Sequence, residues 1–159
     1  MIYGWSGGFW VTDMERNYRI VQGIALEVEG LHLDLYNNYF LEIFSTSIIT
    51  REMTLLFRLE KQFADGKRPD HFSLLFREVT FFEASYTMLD DDGMIVEEVG
   101  FKDRQDKDLA WLKQDGQDSA DDDVIIRITG GRHIRVCAGL SKVSLSIPSY
   151  SRLAQQPEN

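Results

Sequence analysis

Apolar and polar residues alternate with a period of two along much of this chain, and that pattern restricts it to strands with one buried face. In LHLDLY, Leu31, Leu33 and Leu35 share one face, and His32, Asp34 and Tyr36 share the other. In EMTLLFRLEKQF, Met53, Leu55, Phe57 and Leu59 point one way, with Thr54, Leu56, Arg58 and Glu60 opposite. The segment ADGKRPD supplies Gly66 and Pro69 as turn residues, so 53–60 and 72–84 form an expected antiparallel pair. VIIRIT and HIRVCA flank GGR as a hairpin, and KVSLSI follows after GLS, which predicts a three-stranded meander.

The densest apolar run, FSLLFREVTFFEASY, changes phase in its middle. Phe72, Leu74 and Phe76 share one parity, whereas Val79 and Phe81 fall on the other, and Arg77 and Glu78 lie at the slip. A one-residue slip turns every later side chain to the opposite face. Two solutions exist: a bulge or corner at Arg77 and Glu78, which lets one strand serve two packed sheets, or a strand buried on both faces with a costly partner for Arg77. The corner is the cheaper one.

Elsewhere, Tyr18 to Glu29 reads as a strand with Gly23 marking a bulge, and Tyr39 to Ile49 as a strand following an Asn37–Asn38 turn. DKDLAWLKQ predicts one short helix over about 107–114, capped by Asp106. The fold class is therefore mainly β, an antiparallel β-sandwich or strongly bent sheet with one short helix. At 159 residues and 43% hydrophobic content without a linker, the expectation is one domain over 1–148 and a flexible tail over 149–159.

Charge is concentrated in one place. Residues 89–123 carry thirteen acidic and four basic side chains, and that difference equals the whole net charge of −9. The rest of the chain is balanced. Such a segment is either a solvated loop or a surface that steers a basic partner, with interspersed aromatics as anchors. The second reading nominates Asp90, Asp91, Asp92, Glu97, Glu98, Phe101, Trp111, Asp121, Asp122 and Asp123 as partner-binding residues. A rival reading is a small-ligand or carbohydrate-binding β-module with Tyr3, Trp5, Phe9 and Trp10 as a stacking platform.

Chemistry-bearing patterns are sparse. With Gly93 at the sixth place of a calcium loop, Asp90 and Asp92 fit the third and fifth positions, but Met88 and Val99 occupy the first and twelfth. DDDG is better explained as a turn between YTML and MIVEEV. His32 and Asp34 share a strand face without a third ligand at metal spacing. His133 and Cys137 lie four residues apart on one strand, about 13 Å, too far for a dyad. No Walker, dinucleotide, nucleophile-elbow or paired-cysteine motif is present, so no catalytic residue, metal or cofactor is expected. Excess negative charge argues against nucleic acid as a partner. No apolar run is long enough to span a membrane, and MIYGWSGGFWVTDMERN lacks signal-peptide character, so a cytoplasmic location without membrane association is expected.

MTLLFRLE, FSLLFREVTFF and HIRVCAGLSKVSLS together resemble small β-rich bacterial proteins of uncharacterised families, among them immunity proteins of polymorphic toxin systems. The resemblance covers roughly residues 50–85 and 124–147 and rests on strand pattern and composition. It implies a non-enzymatic protein, monomeric or dimeric, that binds and blocks a toxin. It assigns no residue a role.

Overall fold

A computed structural model describes residues 14–85 and 94–145. The chain is mainly β, an open sandwich-like arrangement of three sheets. Its strands are β1 (Glu15–Arg16), β2 (Arg19–Val21), β3 (Ala25–Val28), β4 (Leu31–Asp34), β5 (Tyr39–Ser47) and β6 (Glu52–Leu59). They continue with β7 (His71–Arg77), β8 (Phe81–Ala84), β9 (Val96–Asp103), β10 (Asp122–Ile128), β11 (Arg132–Cys137) and β12 (Leu140–Ser144). One sheet has the order β1-β12-β7-β6-β5, a second β8-β11-β10-β9, and a third β2-β3-β4. A core shared by all three includes Leu26, Leu33, Phe57, Phe72, Val99 and Ile126, each fully buried. Within it Phe57 and Phe72 stack with ring centroids 4.9 Å apart, and Tyr39 meets Phe72 edge-on.

The alternation of β4 and β6 is largely realised: Leu33, Leu35, Met53, Leu55, Phe57 and Leu59 are buried and His32 and Tyr36 are exposed, but Leu56, on the opposite face of β6, is buried too and Leu31 is half-buried. β6 and β7 pair antiparallel from Met53↔Phe76 to Arg58↔His71. At the phase slip the chain turns a corner. Arg77 ends β7 in the five-stranded sheet, Glu78 adopts a left-handed φ of 54°, and Phe81 opens β8 in the four-stranded sheet. Backbone hydrogen bonds at the corner run from Val79 N–H to the C=O of Arg51, in the turn before β6, and from Thr80 N–H to the C=O of Cys137 in β11. Val79 packs against the core, but Phe81 and Phe82 remain 46% and 38% exposed because β8 is an edge strand.

The same corner overturns the expected meander. β10 and β11 form the hairpin, but β12 leaves it and pairs with β7. The pairs Phe81↔Cys137 and Arg77↔Leu140 show that β7–β8 and β11–β12 switch sheets side by side. Keeping beside its bent neighbour preserves the hydrogen bonds of both strands, which a return to β11 would break.

Two further expectations are corrected. Residues 18–29 form the β2–β3 hairpin instead of one bulged strand, because Gln22 (φ 53°) and Gly23 (φ 69°) supply the two positive angles of a tight turn. The DDDG turn expected between YTML and MIVEEV lies outside the described residues, with Asp90, Asp91, Asp92 and Gly93. The short helix over 107–114 is absent. Asp106 and Asp108 accept hydrogen bonds from the backbone N–H groups two residues on, and Lys113 bridges Phe101 in extended form. Short acidic side chains here outcompete the helical bonds. Among the described residues no helix is long and apolar enough to cross a membrane.

Candidate functional site

β9 ends at Asp103 and β10 begins at Asp122, its partner in register, so residues 104–121 form one long excursion from the sheet edge. Its first turns are set by aspartates: the carboxylates of Asp103, Asp106 and Asp108 accept from the N–H groups of Gln105, Asp108 and Ala110 at 2.8–2.9 Å. The loop then folds back over the outer face of its own sheet. Phe101 N–H donates to Lys113 C=O at 2.9 Å, and Lys113 N–H returns to Phe101 C=O at 2.8 Å. Gly100 permits this approach, since a Cβ there would stand 2.7 Å from the Lys113 carbonyl oxygen and 2.8 Å from Leu112 Cβ.

Two buried cations pin the loop from beneath. Lys102, fully buried, donates from Nζ to the Trp111 carbonyl at 2.9 Å and lies 3.1 Å from an Asp106 carboxylate oxygen. The same ammonium sits 3.6 Å from the centre of the Trp111 ring. Arg135 donates from Nε to Asp123 Oδ2 at 2.7 Å, and its remaining nitrogens reach the carbonyls of Asp103, Arg104 and Asp106 at 2.7–3.0 Å. Its guanidinium thus fastens the end of β9 and two loop carbonyls to one buried carboxylate.

Most of the other described acids of the segment are paired within the fold. Arg16 bridges Asp115 at 3.0 Å and Asp118 at 2.9 Å while lying over the Phe101 ring. Lys113 Nζ reaches both oxygens of Asp122 at 2.9 Å, and Arg127 pairs with Glu98 at 2.6 Å. Asp103, Asp108 and Asp121 are exposed and make no ion pair among the described residues. Trp111, 55% exposed, stands on the same loop.

This geometry separates the nominated partner-binding residues. Phe101 is 1% exposed and belongs to the core, so it cannot anchor a partner. Asp122 and Asp123 are likewise buried, at 6% and 0%, and serve the fold. Glu98 is occupied by Arg127, and Glu97 is half-buried at an irregularity of β9. Trp111 and Asp121 alone among the described nominees are exposed. Asp90, Asp91 and Asp92 lie outside the described residues, as do Tyr3, Trp5, Phe9 and Trp10. Arg16, Lys102 and Arg135 were not legible as site residues, because their partners are brought together only by the fold. Asp103 and Asp108, visible as part of the acidic run, join the exposed set.

The histidines lie beside glutamates: His133 Nε2 is 2.7 Å from Glu83, and His32 and His71 are 3.7 and 3.5 Å from Glu27 and Glu42. Cys137 instead contacts Arg104 Nη2 at 2.6 Å and Thr80 Oγ1 at 3.0 Å. Among the described residues, no group of three or more His, Cys, Asp and Glu is placed to hold a metal ion. Comparison with protein-family models, with curated proteins and with solved structures found no match.

The ion pairs bound the pH range of the docked loop. The Asp106 carboxyl is held below its ordinary range, first by the Asp108 N–H and then by Lys102. Its contribution is present above the unfolded value near about 4 and is lost as pH falls through the lower folded value. Lys113 is held above its ordinary range by Asp122. Its contribution is present below about 10.4 and is lost as pH rises through the higher folded value. Thermal melting is expected to show a plateau between about pH 5 and pH 9 with a decline on each side, and Asp106→Asn should shrink the acid limb.

Proposed function

We propose that this protein is a non-enzymatic binding protein that docks a basic protein partner on its 104–121 loop. Trp111 acts as the anchor, and Asp103, Asp108 and Asp121 form the acidic rim. The observation that carries this reading is a half-exposed tryptophan on a loop pinned by buried Lys102 and Arg135. A pinned loop has little conformational freedom left to lose on association, and an exposed tryptophan offers a large apolar surface to a partner's pocket. The rim carboxylates steer a cationic surface and disfavour anionic ones. The resemblance to immunity proteins suggests that the partner is a toxin and that docking blocks it.

Affinity capture from source lysate at low and at raised salt tests the reading. The native chain is compared with a variant carrying Asn at positions 103, 108 and 121, which removes the charge while the amide oxygens still accept the Gln105 and Ala110 N–H bonds that Asp103 and Asp108 accept. The native form should retain a basic protein at low salt and release it at raised salt, and the variant should retain much less. Identical retention by the two forms would count against the rim. Substitutions at Asp122 or Asp123 are unsuitable here, since they would report on folding.

A further inference from the structure

A second feature lies on the outer face of the four-stranded sheet, between edge strand β8 and the start of the loop. It is an open cleft of about 610 Å³, a size suited to a small molecule. Arg135 and Asp123 form its floor, Arg104, Lys107 and Leu109 the loop wall, and Phe81 and Glu83 the strand wall.

The charges of this cleft do not balance. On the loop wall and floor, Arg104, Lys107 and Arg135 face a single carboxylate, Asp123, which is wholly buried. That carboxylate accepts from Arg135 at 2.7 Å and lies 3.4 Å from Arg104 Nε; Arg104 Nη2 donates to Cys137 Sγ at 2.6 Å, which leaves its Nη1 to meet a ligand. Lys107 is exposed and makes no ion pair among the described residues. Glu83, on the opposite wall, is engaged by His133 at 2.7 Å. Among the side chains that line the cleft, positive charge is therefore in excess, in a chain whose net charge is −9. Beside it, Phe81 is 46% exposed and Leu109 is half-buried, which gives the cationic wall an apolar neighbour.

We infer that this cleft binds a small organic carboxylate, with the anionic end at Arg104 and Lys107 and an apolar body against Phe81 and Leu109. A guanidinium and an ammonium together hold a carboxylate by charge-assisted hydrogen bonds, while the apolar wall selects against small inorganic anions. The cleft and the Trp111 surface present different side chains of the same loop, and Arg135 holds both in place.

Titration of the full chain with phenylacetate and with phenylacetamide, followed by amide NMR shifts, tests it. The two probes match in shape and differ in charge. Phenylacetate should shift the signals of Phe81, Glu83, Arg104 and Lys107, with phenylacetamide binding at least about tenfold more weakly. Lys107→Ala, at an exposed position without an ion pair, should weaken phenylacetate by about tenfold, and Lys61→Ala, outside the cleft, should not. Equal binding of the two probes, an unchanged affinity in Lys107→Ala, shifts centred elsewhere such as Ile48 and Ile49, or no shifts at millimolar probe would each overturn it.

Discussion

Asp123→Ala should destabilise the protein by about 3–5 kcal/mol, whereas Asp121→Ala, two residues earlier, should change stability by less than about 0.5 kcal/mol. The two acids belong to the same run of the sequence, and burial divides them. Asp123 is 0% exposed and accepts from Arg135 at 2.7 Å; Asp121 is exposed and makes no ion pair among the described residues. Removing the Asp123 carboxylate leaves the buried Arg135 without its counter-charge, and the cost of an unpaired guanidinium exceeds that of the lost contact. Urea denaturation of both variants gives the comparison directly. Similar losses at the two positions would mean that Asp123 is solvated after all.

Trp111→Ala should weaken partner binding by about 2 kcal/mol or more, roughly thirtyfold in Kd, as expected for a central aromatic anchor. Its effect on stability should be smaller, about 1 kcal/mol, since the ring is half-exposed and lies against the Lys102 ammonium. Trp111→Phe separates the two roles: it keeps a ring over Lys102 while shrinking the surface offered to the partner. Calorimetric titration against the captured partner, with urea denaturation in parallel, reads both quantities. Stability lost with affinity intact would make Trp111 a cover for Lys102 and nothing more.

Much of the fold was written locally. The alternation in β4 and β6 and the phase slip at Arg77 and Glu78 each correspond to a structural feature, because a one-sided strand and a corner leave their mark on neighbouring residues. The departure of β12 to the other sheet left no such mark: KVSLSI would suit β7 or β11 as a neighbour, and the bend of β7–β8 decides between them. The helix expected over 107–114 failed for a similar reason. Leu109 and Leu112 have helical spacing, but the aspartate turns and the Phe101–Lys113 bridge hold the segment extended.

The acidic run illustrates the same limit for the site. Its location was evident from charge alone, yet its meaning depended on cations distant in sequence. Arg16 lies 99 residues from Asp115, and Arg135 is 29 residues from the Asp106 carbonyl it binds. No spacing rule connects such pairs. Among the described residues, the fold pairs most of the segment's acids with cations and leaves Asp103, Asp108, Asp121 and Trp111 on display.

Hydrogen exchange at the Lys113 amide tests most directly whether the 104–121 loop is a pinned platform. This N–H donates to Phe101 C=O across the Gly100 contact, in the middle of an acidic stretch that would exchange freely if it were only a solvated loop. Protection approaching that of the β10 amides, by about 10³-fold or more, and its loss in Lys102→Ala, is the predicted result. Exchange at the rate of an unstructured peptide in the native chain would contradict it.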